Sequence, residues 1–301
     1  MPSRQWSAGA PVDVRATLGP LRRGRHDPAH RVGADGRFWL AAATPDGPGT
    51  LAVSARDEVV TGQAWGQGAH WLLDRLPLLC GDGDDWSGLD VSAHPVLVEV
   101  RRRNPGLRLT STGLVLDALV PAVLEQRVTG IEARRSWASL VRRFGVPAPG
   151  PDPDLRVPPT PRALLDVPTF QWHRLGVDLQ RQRTIRAAAT VANRLQECVS
   201  MTPDAAVARI GLIPGVGPWT AAETLQRAIG HPDLVSVGDY HLPNMVVHLL
   251  TGRPRGTDEQ MLQLLAPWAG QRQRVMRLIE AARTPAPRFA PRFAYTDIRR
   301  V

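Results

Sequence analysis

The sequence predicts an α+β N-terminal domain followed by a mostly α-helical body. Between residues 36 and 66, the apolar runs Phe38-Trp39-Leu40, Leu51-Ala52-Val53 and Glu58-Val59-Val60 flank Thr44-Pro45-Asp46-Gly47-Pro48-Gly49, a strand-and-turn pattern. Near Gly113 the apolar period changes from two to three or four, the helical spacing. The 301 residues are enough to bury a sizeable core, and most simply divide into two domains.

Residues 1–30 are basic, rich in Pro and Gly and aperiodic, and read as a flexible segment. Residues 31–110 make the α+β domain: the strands above, a short helix over 69–79, an acidic loop at 81–85, and VLVEVR at 96–101, a strand or a short helix. Residues 111–284 make the helical body. Leu116, Leu119, Val120, Val123 and Leu124 form one helical face. Ile131, Trp137, Leu140, Val141 and Phe144 form the next, ended by Gly145. Thr129 with Glu132 is a capping box, which places a break at Arg127-Val128. A Pro-rich connector at 146–161 leads to a basic helix over 179–198, whose Arg181, Arg183, Arg186 and Arg194 are candidate phosphate contacts. Thr257 with Gln260 caps a further helix, and 271–283 continues the helical pattern. Residues 285–301 form an Arg/Pro-rich tail.

The most informative stretch is IPGVGPWTAAETLQRAIGHPDLVSVGD, ending at Asp239. A helix with Thr202 as N-cap and Pro203 at its first position runs to Gly211. A tight turn, Pro214-Gly215-Val216-Gly217, then opens a second helix at Pro218. Glycines let the backbone approach a ligand, and the amides of Gly215, Val216 and Gly217 lie at a helix N-terminus, where an anion such as a phosphate is favoured. Asp239 follows Gly238 in a polar turn; by position alone it is either a reactive carboxylate or the N-cap of a helix starting near His241.

Composition narrows the chemistry. The net charge of +9 points to a polyanionic partner. All 37 cationic residues are arginine, so no lysine amine is available as a nucleophile. The two cysteines, Cys80 and Cys198, match no metal-ligand spacing. There is no secretory signal and no apolar stretch of about 18 residues, and a cytoplasmic, nucleoid-associated location is expected.

The hairpin followed by an aspartate resembles the helix-hairpin-helix DNA glycosylase superfamily. Trp219-Thr220-Ala221 and LDALVPAVLEQRVTGIEARRSWASLVRRFG look like its 3-methyladenine DNA glycosylase II (AlkA-type) branch, and the resemblance extends over most of the chain. It implies a helix-hairpin-helix glycosylase body and a monomeric enzyme of base excision repair. Such an enzyme flips a damaged base, expected to be an N-alkylated purine, out of double-stranded DNA and hydrolyses its N-glycosidic bond. Asp239 is then catalytic, stabilising the cationic sugar or activating water. Trp219 and Tyr240 stack the base, and Gln126 and Arg127 fill the gap left in the duplex. The backbone carbonyls of Gly211, Ile213 and Val216 hold a monovalent cation; no other cofactor is implied, and two cysteines cannot hold the four-cysteine iron–sulfur cluster of some members. Bifunctional members form a Schiff base with a lysine where this chain has Trp219, so a lysine-dependent lyase is excluded.

The sequence departs from that pattern after Pro267-Trp268. Where the family places aromatic residues, this chain has Gln271, Arg272, Gln273, Arg274 and Arg277, a lining that repels a cationic base. This departure leaves two alternatives open: a helix-hairpin-helix protein that binds DNA without cleaving it, and a glycosylase for a neutral or bulky lesion.

Overall fold

The computed structural model describes residues 1–285 and Pro287. The tail at 285–301 therefore lies almost wholly outside the described residues.

The first residues are not a loose segment. Strand β1 (Ser3–Ser7) and helix α1 (Val14–Leu18) precede β2 (His30–Val32), β3 (Phe38–Thr44), β4 (Gly47–Arg56) and β5 (Val59–Gly66). The five strands form one antiparallel sheet in the order β1-β5-β4-β3-β2, with Trp6 opposite Val60 and Phe38 opposite Val53. Asp13 caps α1 by accepting the Ala16 amide at 2.9 Å, and Val12, Leu18 and Leu21 are buried in the sheet's core. The expectation of flexibility over 1–30 fails because these apolar residues are too widely spaced to show a period. Each completes a core made by later strands.

Helices α2 (Ala69–Asp74) and α3 (Leu76–Leu79) cover one sheet face, with Leu72, Leu73 and Leu76 packed over Gly49 and Gly62. VLVEVR resolves as helix α4 (Pro95–Arg103), opened by Pro95, with Leu97 and Val100 buried on one face. Those two residues share a core with C-terminal helices rather than with the sheet, so the packing cuts across residue 110.

The body continues with α5 (Val115–Leu124), α6 (Gly130–Phe144), a two-residue ladder of β6 (Val146–Pro147) and β7 (Arg156–Val157), α7 (Pro161–Asp166), α8 (Thr169–Arg174), α9 (Leu179–Thr190), α10 (Ala192–Gln196), α11 (Pro203–Gly211), α12 (Pro218–Ala228), α13 (Leu242–Thr251), α14 (Asp258–Leu265) and α15 (Arg272–Ala281). Both capping boxes form, Thr129 with Glu132 and Thr257 with Gln260. Helices α5, α6, α9, α11 and α12 enclose one core, in which Trp137 and Trp172 are fully buried; α4, α13, α14 and α15 enclose another.

The basic helix differs from its sequence reading in two ways. It breaks at Val191, and Arg181 is buried, donating from Nη1 to the Leu124 carbonyl at 3.0 Å, from Nη2 to Gly176 O at 3.1 Å and from Nε to Asp178 Oδ2 at 2.8 Å. That arginine terminates α5 and holds no phosphate; Arg186 likewise donates to the carbonyls of Leu165 and Val167. Arg183 and Arg194 remain exposed.

Candidate active site

The hairpin between α11 and α12 closes locally. Thr202 accepts the Ala205 amide, Pro203 opens α11, and the Val216 amide donates to the Ile213 carbonyl at 3.0 Å. Ile213 and Val216 anchor the turn in the core, while Pro214, Gly215 and Gly217 face solvent. The two glycines have different reasons to be glycine. Gly215 has φ of 89°, and a Cβ there would lie 2.1 Å from Thr184 Oγ1. Gly217, the N-cap of α12, has φ of −96°, and a Cβ would meet nothing within 4 Å. Nothing in the protein requires Gly217 to lack a side chain, but a ligand approaching the amides of α12 would. Of the carbonyls expected to hold a cation, that of Gly211 ends α11, where the helix dipole adds negative potential, while those of Ile213 and Val216 lie in the turn that follows, and Ile213 O accepts the Val216 amide.

Gln126 and Arg127 sit in the break between α5 and α6, as expected, but only one projects. Gln126 Nε2 donates to the Gly215 carbonyl at 2.9 Å and to Thr220 Oγ1 at 2.8 Å, fastening the break to the hairpin. Arg127 is exposed, has φ of 53°, and makes no hydrogen bond or ion pair with the described residues. A non-glycine residue in this conformation carries backbone strain, a cost that clusters at functional positions.

Asp239 is both cap and site residue. Its Oδ1 accepts the amides of His241 at 2.7 Å and Leu242 at 3.0 Å, and its Oδ2 accepts the indole N–H of Trp219 at 3.2 Å. Gly238, with φ of 89°, donates its amide to Asp258 Oδ2 at 2.9 Å. The carboxylate is thus oriented from both sides and also faces a cavity of about 470 Å³. That volume is in the range of small-molecule pockets. Trp219 and Tyr240, expected to stack a base, do not line this cavity. Trp219 spends its N–H on Asp239, and Tyr240 is 58% exposed with its ring edge-on to His241.

The cavity is lined by side chains from segments far apart in sequence. Its walls come from α1 and the following loop, from α12, and from α15, with Glu125 and Arg134 completing them. Of the polar run at the start of α15, Gln273 and Arg277 reach the cavity. Arg272 instead pairs with Asp233 and Arg274 with Asp84, both bridging to loops. Across the cavity, Arg23 pairs with Glu125 at 3.1 Å, Arg227 with Glu223 at 2.9 Å, and Arg277 with Glu280. Glu223 also accepts from Ser236 Oγ at 2.7 Å. Burial works to raise the Glu223 carboxyl, but Arg227 and Arg23 outweigh it and hold Glu223 below its ordinary range.

Arg22, Arg23, Arg134 and Glu223 carry no separate signal in the sequence. Trp219, Glu223 and Arg227 recur every four residues on α12, so their shared face was legible, but not that a cavity lies against it.

No family model matches the chain. A Mycobacterium tuberculosis protein, a probable bifunctional transcriptional activator/DNA repair enzyme AlkA, is 31% identical over 159 residues, 50% of this chain and 31% of that protein. The chain thus spans about a third of the length of this relative. The 3-methyladenine DNA glycosylase from Archaeoglobus fulgidus superposes with a TM-score of 0.73 at 17% identity, covering 93% of this chain and 98% of that one. The Clostridium acetobutylicum 8-oxoguanine glycosylase/lyase in complex with double-stranded DNA superposes with a TM-score of 0.69 at 10% identity, covering 90% and 91%. These structural likenesses are of fold. The chain thus has the fold of these DNA glycosylases, and over half of its length it is similar in sequence to the AlkA relative.

Proposed function

We propose that this protein is a monofunctional DNA glycosylase of base excision repair. The observation that carries the proposal is the Asp239 carboxylate: three N–H donors fix it at a base-sized cavity, and one of them, Trp219, stands on the first turn of the helix that the hairpin opens. In this reading the amides at Gly215, Val216 and Gly217 hold a backbone phosphate of double-stranded DNA. A cation on the Gly211, Ile213 and Val216 carbonyls would brace that turn. Arg127 enters the duplex where the damaged nucleotide leaves it, and Gln126 holds the break against the hairpin.

Glycosidic cleavage leaves the sugar cationic at C1′. Asp239 is already oriented, so it stabilises that charge without reorganisation and can take a proton from the attacking water. With no lysine in the chain, the product is an intact abasic strand. The named relatives make N-alkylated purines the first substrate to examine. The test is incubation with methylated and with oxidised duplex DNA, with released free bases resolved by chromatography. Tight binding without release of any base would leave a DNA-binding protein in place of an enzyme. Among the described residues no helix is long and apolar enough to cross a membrane.

A further inference from the structure

If the protein is the glycosylase proposed above, its cavity lining limits which bases it can accept. A positively charged alkylpurine is held best by aromatic faces. Among the described residues no aromatic side chain lines this cavity. Five guanidinium groups do: Arg22, Arg23, Arg134, Arg227 and Arg277. Three of them are paired with Glu125, Glu223 and Glu280. Arg22 and Arg134 form no ion pair with the described residues, and Nε of Arg22 is buried without a hydrogen-bond partner. The remaining acid facing the cavity is Asp239, so the lining carries one more positive than negative side chain.

We infer that the site excises neutral damaged bases bearing exocyclic carbonyl oxygens, the chemistry of oxidised bases, and discriminates against cationic alkylpurines. The donors suit such a ligand: the Nε–H of Arg22 is unmatched, Arg134 lines the cavity without an ion pair among the described residues, and carbonyl oxygens accept guanidinium N–H groups. The chemistry of departure points the same way. A cationic alkylpurine leaves as a neutral molecule and needs little help. A neutral base leaves with the electron pair of the C1′–N bond and becomes an anion. Arginines that repel the first base stabilise the second, and they stay charged at any working pH. In the balanced hydrolysis the C1′–N bond breaks and a water oxygen bonds to C1′. One water proton passes through Asp239 and ends on the departing base; nothing is oxidised or reduced.

The experiment compares single-turnover release from duplexes identical except at one base: 7-methylguanine, 8-oxoguanine, 5-hydroxyuracil or a guanine-derived hydantoin. The expected result is release of at least one neutral base tenfold or more faster than 7-methylguanine. Arg22→Met and Arg134→Met should each shift the ratio of rates toward 7-methylguanine; loss of folding lowers both rates and leaves the ratio alone. Release of 7-methylguanine faster than every neutral base overturns this inference while keeping the glycosylase. Release of no base from any duplex, with binding retained, overturns the glycosylase reading and this inference with it.

Discussion

The indole N–H of Trp219 donates to Oδ2 of Asp239 at 3.2 Å, across twenty residues of sequence, from the first turn of the helix opened by Gly217. The group proposed to act at the sugar is therefore tied directly to the helix whose N-terminal amides are proposed to hold phosphate. Trp219→Phe keeps the ring and deletes the donor. A hydrogen bond to a charged group contributes about 1.5–3 kcal/mol, so base release should slow by roughly tenfold or more, while DNA affinity stays within about twofold. Parental rates in single-turnover assays would show that Asp239 is oriented by its backbone donors alone.

The hairpin glycines separate binding from folding. A side chain at Gly217 meets open space in the protein, so Gly217→Val should fold normally and bind duplex DNA at least tenfold more weakly. Gly215→Val is different, because its positive φ and Thr184 both oppose a side chain, and it should lower thermal stability as well. Affinity of the parent protein should fall with salt by about 0.9 log unit per log unit of salt for each phosphate neutralised. A flat salt response, or equal binding by Gly217→Val, would remove the hairpin from the interface.

Product chemistry is set by the missing lysines. The strand should remain intact after base release and break only on alkali or heat treatment, and borohydride should trap no covalent complex. Trapping would point to the N-terminal amine, the one remaining amine nucleophile.

Asp117 on α5 gives the protein a pH dependence unrelated to catalysis. Burial pushes its carboxyl up to about 7 from the ordinary 3.8, against the opposing pull of His30. The folded state thus resists an ionisation that the unfolded chain undergoes near 3.8. Stability is therefore lost as pH rises between those two values, and the full penalty remains at higher pH. Asp117→Asn should match the parent near pH 4 and melt higher at pH 8, by roughly 2–4 °C per kcal/mol relieved. Equal melting temperatures at pH 8 would mean that Asp117 is solvated there.

The local signals in the sequence were read well where they are short-range. Both capping boxes, the proline-opened helices around the hairpin and the break expected at Arg127-Val128, which lies between Leu124 and Gly130, depend on residues close in sequence, and all form. What could not be read is what distant segments do to one another. Residues 1–30 looked structureless, yet they supply an edge strand and the wall carrying Arg22 and Arg23. Trp219 was legible as an aromatic beside the hairpin, but not that its N–H reaches Asp239. Gln126 was legible at the helix break, but not that its amide reaches Gly215 and Thr220. The polar start of α15 was legible as a departure; that Gln273 and Arg277 reach the cavity while Arg272 and Arg274 serve loops was not.

Asp239 separates an enzyme from a binder, and the structure sharpens the substitution that tests it. Asp239→Asn keeps one oxygen, which can still accept the amides of His241 and Leu242, so the start of α13 should hold. The new amide nitrogen then faces the Trp219 N–H, donor against donor, where Oδ2 now accepts. One unmet hydrogen bond costs about 1–3 kcal/mol, a modest fall in melting temperature rather than unfolding. The negative charge matters most once C1′ becomes cationic, so its loss should weigh on the transition state far more than on bound DNA. Base release should fall by about two orders of magnitude or more, the scale seen when a preorganised electrostatic group is removed. Affinity for lesion-containing duplex, measured in parallel by anisotropy, should change little. Release at the parental rate by a folded Asp239→Asn variant would leave Asp239 as a helix cap, and the chemistry would have to come from the carboxylates of Glu125, Glu223 or Glu280 in the same cavity.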